Sequence, residues 1–283
     1  VKDLAEVYLS LKKLDWKILG AVFKNMWDFE YVPSHAIIRE VNLTEEELEG
    51  KLKRLASLRL LENKYTDYLG TAFTFKGLSV YSLKRLVERG KVEQLGSLIG
   101  EGKESVVYAV ISNGEEAVLK FHRVGYPSFK KVKEKRDYGT LHYTVLTVRS
   151  AKREFQALKK LYGKVSVPKP IAWEGNAVLM ELIDAKELYK VRLKNPEEVL
   201  EIIIEEVKKM FDLGIIHGDL SQFNILVNES GVYFIDFPQH MERGDEGSEE
   251  ILRRDVENVL KYFKKSYGIE RDLKQTLEEI VKK

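Results

Sequence analysis

Residues Ile215 to Asn224 read I-I-H-G-D-L-S-Q-F-N, and the short apolar run Val232 to Ile235 leads into Asp236 and the triplet D-F-P. His217, Asp219 and Asn224 thus fall in the pattern H-x-D-x-x-x-x-N, followed by a turn, a strand and a second carboxylate. Asp219 can accept a hydroxyl proton or orient a nucleophile. Asn224 and Asp236 can offer oxygen ligands to a magnesium ion held against phosphates. Phosphoryl transfer needs such a set. A polar loop between two buried strands is the plainer reading, but the residues here fit a positional template rather than a composition.

A phosphate cradle should lie upstream. Ile99 to Tyr108 read I-G-E-G-K-E-S-V-V-Y. Gly100 and Gly102 would let a hairpin approach phosphates without side-chain clash, and Lys103 and Ser105 can add donors. Asn113-Gly114 predicts a tight hairpin turn. Ala117, Val118 and Leu119 then lead to Lys120, placed where a phosphate-pairing lysine ends an apolar strand; taken alone, it would be an ordinary strand-end cation. Its expected carboxylate partner is Glu154, in the first turn of a helix capped by Ser150 and ended by Gly163, with Glu134 as the fallback. Exposed ion pairs contribute roughly 0–1 kcal/mol, so the value of such a pair would be in placing Lys120. The long connection from Phe121 to Arg149 carries Arg123, Lys130, Lys131, Lys133, Lys135 and Arg136. It reads as a solvated loop or an insert touching substrate or RNA. Backbone groups near Glu181 and Ile183 are expected to hold adenine in a connector between two lobes, and Met180 could line that pocket or simply pack in the core.

Asn195, Pro196 and Glu198 predict a helix start, with Val199, Ile202, Ile203, Val207, Met210 and Phe211 on the buried face and Gly214 as the stop. That helix would support the catalytic loop from beneath. Beyond Asp236, Asp255, Val256, Val259, Leu260 and Phe263 predict one helix, and Leu273, Leu277 and Ile280 another. This leaves no room for a long activation segment or a helical peptide-docking subdomain.

The first ninety residues predict something else. Trp16, Leu19, Val22, Phe23, Met26 and Trp27 recur at helical spacing. Pro33 can open a second helix, and Thr44 with Glu47 makes a capping box for a third. Leu60, Leu61 and Tyr65, then Phe73 and Phe75, alternate as in a hairpin. Three helices and a hairpin make a winged helix-turn-helix, followed by a linker helix from about Leu78 to Arg89. Lys51, Arg54, Arg59 and Lys64 are the nucleic-acid candidates. A solvated charged face or a protein-docking module is the plainer reading, since Glu45, Glu46, Glu47 and Glu49 share the third helix.

The chain has 283 residues, 44% hydrophobic and 33% charged, with net charge +2 and no cysteine. Disulfides and thiolate metal sites are excluded, and no apolar run reaches the roughly 20 residues that span a bilayer. The N-terminus shows no signal-peptide core, so no membrane partner and a cytoplasmic setting are expected. His35, His122, His142 and His240 lack ligand spacing, and His217 reads as structural.

G-E-G-K-E-S-V-V-Y from Gly100, H-G-D-L-S-Q-F-N from His217, I-D-F-P-Q from Ile235, the short lower lobe and the N-terminal winged helix together resemble the RIO family of atypical serine protein kinases, on its archaeal-like RIO2 branch. The resemblance covers nearly the whole chain. It implies an α+β fold: a winged helix domain with its linker helix over 1–90, and a two-lobed, truncated protein-kinase-like domain with its upper lobe over 91–183 and its lower lobe over 184–283. It implies ATP with Mg²⁺ or Mn²⁺, serine autophosphorylation, ATPase activity, and work on the small ribosomal subunit or its rRNA. By that resemblance Asp219 is the catalytic base, Asn224 and Asp236 hold metal, Lys120 pairs with phosphates, and Gly100, Gly102, Lys103 and Ser105 form the phosphate loop. In some members the counterpart of Asp236 is viewed as a phosphate acceptor. Departures from ordinary kinases are Ser105 for a third glycine, Gly218 for the arginine of H-R-D, and Pro238 for the glycine of D-F-G. They argue against regulation by activation-loop phosphorylation. A small-molecule kinase of the aminoglycoside or choline type, which also uses H-G-D, and an ATP-switched nucleic-acid-binding protein remain the alternatives.

Overall fold

A computed structural model describes residues 3–124 and 142–282. Lys130, Lys131, Lys133, Glu134, Lys135 and Arg136 lie outside the described residues. The chain forms two compact units, Val1–Lys152 with Ile171–Leu179, and Arg153–Pro170 with Met180–Lys283. Among the described residues no helix is long and apolar enough to cross a membrane.

The first unit opens with α1 (Leu4–Ser10), α2 (Lys13–Asn25), β1 (Val32–Pro33), α3 (Ser34–Ile38), α4 (Glu45–Ser57), β2 (Leu61–Tyr65), β3 (Leu69–Phe73) and α5 (Phe75–Glu88). The strands pair in the order β1-β3-β2, which is the wing. Thr44 and Glu47 cap α4 reciprocally, an arrangement that contributes on the order of 1 kcal/mol. Ile18, Leu19 and Val22 of α2 meet Ile37, Leu52, Leu55 and Leu78 in one apolar cluster. Trp27 departs from the sequence expectation: α2 ends at Asn25, two residues earlier, and the indole is 43% exposed. Asp15 is fully buried in the apolar stripe of α2, where it caps the Lys12 N–H (2.9 Å) and pairs with Arg54 (3.0 Å).

The same unit continues into a sheet of β4 (Gln94–Glu101), β5 (Ser105–Ser112), β6 (Glu115–His122), β7 (Pro170–Glu174) and β8 (Ala177–Glu181), in the order β4-β5-β6-β8-β7. Asn113 and Gly114 both take positive φ, as a two-residue hairpin turn requires. Helix α6 (Tyr143–Leu161) begins seven residues before the cap expected at Ser150. Val145, Val148 and Ala151 bury one stripe of it, and that burial outweighs the weak helix propensity of its valines and threonines. Ser150 is therefore interior, and Glu154 lies mid-helix rather than in the first turn.

The second unit holds β9 (Lys186–Glu187), α7 (Pro196–Asp212), β10 (Ile215–Ile216), β11 (Ile225–Asn228), β12 (Gly231–Phe234), β13 (Met241–Glu242), α8 (Ser248–Tyr267) and α9 (Leu273–Val281). Pro196 opens α7 at its first turn, as expected. The most buried apolar residues of α7 are Leu200, Ile203, Ile204, Val207, Met210 and Phe211, with Glu206 buried among them; Val199 and Ile202 sit at the edge of that face. Strands pair as β12-β11-β9 and, separately, as β10-β13. The second pairing sets Ile215 opposite Glu242 and Ile216 opposite Met241. The segment between Asp236 and α8 is thus folded back onto the strand that enters the 217–224 loop, and no long activation segment intervenes.

Candidate active site

In the second unit, residues 217–224 connect β10 to β11. The Asp255 carboxylate on α8 accepts the Gly218 N–H at 2.8 Å and the Leu220 N–H at 3.0 Å. Asp255 is 1% exposed. Burial pushes its carboxyl above the ordinary aspartate value, while the Gly218 and Leu220 N–H groups and Arg254 act against that shift. Hydrogen bonds to a charged acceptor contribute about 1.5–3 kcal/mol each, which offsets the desolvation. Arg254 donates to the Gly218 carbonyl (2.7 Å) and Asn258 to the Leu220 carbonyl (3.3 Å), so three residues of α8 grip the loop backbone. Gly218 takes φ +91, and a Cβ there would lie 2.1 Å from the Gln239 carbonyl oxygen. The arginine of an ordinary H-R-D loop could not occupy this position.

His217 is buried and bridges two chain segments. Its Nδ1 faces the Asp219 N–H at 3.2 Å and its Nε2 faces the Ile235 carbonyl at 2.8 Å. Nδ1 must then accept and Nε2 donate, which is the neutral Nε2–H tautomer. The ring also meets Phe237 with centroids 4.7 Å apart. The structural role read from sequence for His217 is what the geometry displays.

Asn224 closes the loop on itself. Its Oδ1 accepts from the Ser221 N–H at 2.8 Å and its Nδ2 donates to the Asp219 carbonyl at 2.5 Å. The second lone pair of Oδ1 is left for a cation. Asp219 reaches solvent. Burial nevertheless pushes its carboxyl above the ordinary aspartate value, and the Asp255 and Asp236 carboxylates add to that shift. Asp236 is exposed and takes φ +66, uncommon for a residue with a side chain. The next N–H, that of Phe237, is held at 2.8 Å by the Glu154 carboxylate, so Glu154 braces the residue that follows Asp236. Asn224 and Asp236 offer hard oxygen donors that suit magnesium. Among the described residues no group of three or more His, Cys, Asp and Glu could hold a metal.

In the first unit, Gly100 pairs with Val107 and Val107 pairs with Lys120. Gly100 and Lys120 therefore occupy one cross-strand row, and residues in one row share a face, two strand spacings or roughly 10 Å apart. The Gly102 N–H bonds the Ser105 carbonyl at 2.9 Å and closes the hairpin. Neither Gly100 nor Gly102 has positive φ, and a Cβ on either would meet only ordinary contacts, so their smallness matters for what approaches from outside. Lys103 is exposed, Ser105 half-buried and Lys120 buried. Arg123, read from sequence only as part of a basic connection, donates to the Gly102 carbonyl and lies over the Phe75 ring at 5.2 Å.

The remaining candidates divide. The Glu181 N–H donates to the Lys169 carbonyl and the Ile183 carbonyl accepts from the Ala185 N–H, both at 2.9 Å, so those backbone groups are already engaged. Arg54 is drawn to Asp15, and Lys53 pairs with Glu49 (3.1 Å). Lys51 is half-buried, whereas Arg59, just before β2, and Lys64, near the tip of the β2–β3 hairpin and over the Tyr31 ring at 5.2 Å, are exposed. Sequence reasoning named Asp255 only as one position of a helix and gave it no role at the site. Replacing it tests its grip on the loop: Asp255→Asn sets an amide N–H against a backbone N–H. It should destabilise the chain by about 2 kcal/mol in chemical denaturation and remove most ATP turnover.

Two family models match the chain: the RIO domain over residues 105–276 and the Rio2 N-terminal domain over residues 8–89. The RIO-type serine/threonine-protein kinase Rio2 of Methanocaldococcus jannaschii is 37% identical over 255 residues, 86% of this chain and 93% of that protein. The serine/threonine-protein kinase rio2 of Dictyostelium discoideum is 34% identical over 91% of this chain and 51% of its own length. The Rio2 kinase of Chaetomium thermophilum, solved as an ADP/Mg²⁺-phosphoaspartate complex, superposes with TM-score 0.83 at 28% identity, covering 99% of this chain and 89% of that one. A winged helix domain, a glycine hairpin in register with Lys120, and an H-G-D loop held by Asp255 accompany these matches, and the chain belongs to the RIO kinases, on their Rio2 branch.

Proposed function

We propose that this chain is an ATP- and magnesium-dependent atypical serine/threonine protein kinase with ATPase activity, acting in the cytoplasm on itself and on the maturing small ribosomal subunit. The observation that carries the reading is the loop held by Asp255, with Asn224 closed onto the Asp219 carbonyl. It presents a proton acceptor and a metal ligand from one rigid turn, at the spacing phosphoryl transfer uses.

In the proposed reaction Asp219 accepts the proton of a serine hydroxyl as that oxygen attacks the terminal phosphate of ATP, and ADP leaves. Lys120 and the hairpin residues Gly100, Gly102, Lys103 and Ser105 receive the phosphates. Magnesium, held by Asn224 Oδ1 and the Asp236 carboxylate, supplies neutralisation of phosphate charge. In the hydrolytic branch the phosphoryl group passes to an Asp236 oxygen, as the phosphoaspartate of the Chaetomium relative invites. Water then splits the acyl phosphate, with Asp219 taking its proton.

The base works only when ionised. The upward displacement of Asp219 by burial places the acid limb of turnover above the ordinary aspartate range. Labelled ATP should give protein-bound label and free phosphate in the intact chain. Asp219→Asn should lower both at least about 100-fold and erase the acid limb. Asp236→Asn should abolish any hydroxylamine-sensitive label. Turnover unaltered in Asp219→Asn would sink the proposal.

The winged helix is proposed to hold rRNA of the small subunit through Arg59 and Lys64, since Arg54 is drawn into an ion pair and Lys51 is half-buried. Arg59→Glu with Lys64→Glu should weaken binding of a labelled rRNA fragment and lower its salt slope by roughly 2. An unchanged slope would remove RNA contact from this face.

A further inference from the structure

Helix α5 leaves the winged helix and runs beside the nucleotide sheet, and the two meet through a buried polar cluster centred on Asn176. This residue is the second of the two-residue turn between β7 and β8 and is fully buried. Its Nδ2 donates to Ser79 Oγ (3.1 Å) on α5 and to the His122 carbonyl (3.0 Å) at the end of β6. Its Oδ1 faces Ser82 Oγ at 2.9 Å, and its backbone N–H donates to the same oxygen at 3.2 Å. The Ser82 hydroxyl has one proton to share between Asn176 Oδ1 and the Leu78 carbonyl, 2.8 Å away. The Asn176 carbonyl in turn accepts the His122 N–H at 2.8 Å.

The approach is close. Gly175 has φ +52, and a Cβ there would lie 2.1 Å from Ser82 Oγ. Outside the buried cluster Glu174 pairs with Arg85 of α5 (2.9 Å) and with Arg89, the residue that caps its C-terminus (3.1 Å). An apolar seam would slide under load. A seam whose buried polar atoms are all satisfied fixes one register, because any shift strands them unpaired.

What this seam touches is the nucleotide machinery. His122 stands two residues beyond Lys120 on β6, and its Nδ1 meets Ser150 Oγ on α6 at 3.1 Å. At the start of α5, Phe75 lies under Arg123, which bonds the Gly102 carbonyl of the phosphate hairpin. We propose that Asn176 is a positioning residue for ATP use, through which helix α5 of the winged helix domain sets the strand carrying Lys120. This rests on the reading of Lys120 as the phosphate-pairing lysine.

The test uses the full chain and compares KM and kcat for Mg·ATP with the thermal midpoint measured without nucleotide. Asn176→Leu should raise KM about tenfold with little change in kcat. Ser79→Ala with Ser82→Ala, which deletes only hydroxyls, should move KM the same way and serves if the leucine variant does not fold. Thr44→Ala removes a helix cap elsewhere in the winged helix and should lower the midpoint while leaving KM unchanged. If the seam variants behave like Thr44→Ala, losing stability with KM intact, Asn176 is structural only and the proposal is overturned. Lys120→Met separates the two failures. If it leaves ATP use unaltered, the reading of Lys120 falls and the role of the seam falls with it. If it abolishes ATP use while the seam variants match Thr44→Ala, the seam alone falls.

Discussion

Asp255 lies on the buried face of α8 and takes two backbone N–H groups of the 217–224 loop into its carboxylate, and most of the second unit's chemistry follows from that. A carboxylate removed from water is costly unless its lone pairs are filled. Here the filling groups are backbone donors, which are fixed in direction, so satisfying the charge also fixes the path of the chain. Gly218 must then adopt positive φ against the Gln239 carbonyl, which no larger residue tolerates. Asp219 and Leu220 follow at set positions, and Asn224 closes the turn. The path of the 217–224 loop is thus set by a buried carboxylate on α8.

The first unit solves a different problem with similar means. The β4–β5 hairpin, proposed to receive phosphates, and Lys120 on the next strand need a common register, and the row Gly100–Val107–Lys120 supplies it through the sheet ladder. The hairpin tip has little core of its own. Arg123 on the Gly102 carbonyl and the polar seam at Asn176 tie its surroundings to α5. The winged helix and the nucleotide sheet consequently form one compact unit, with the boundary between units passing through α6 and β8 rather than behind the linker helix.

Much of this was legible in the sequence where local chemistry decides the outcome. Asn113-Gly114, the Thr44–Glu47 box, Pro196 and the positional pattern from His217 to Asn224 each act over a few residues. What was not legible depends on distant partners. Asp255 read as one more position on an apolar helix face, although an acid on that face was itself a signal: Asp15 in α2 and Glu206 in α7 sit in the same way, and each is hydrogen-bonded from afar. The start of α6 at Tyr143 was hidden by β-branched residues whose burial no propensity reveals. The role of Asn176 was not legible, because its partners Ser79, Ser82 and His122 are far from it in sequence.

Asp255 holds Gly218 and Leu220 of the 217–224 loop with no nucleotide present. Amide hydrogen exchange at Gly218 and Leu220 in the nucleotide-free chain addresses it most directly. Both amides should exchange as slowly as those of buried strand residues such as Ile225, opening only with the whole unit, and both should become fast in Asp255→Asn. Rapid exchange at Gly218 and Leu220 that slows only when Mg·ATP is added would contradict it, since the loop would then be ordered by its substrate and not by Asp255.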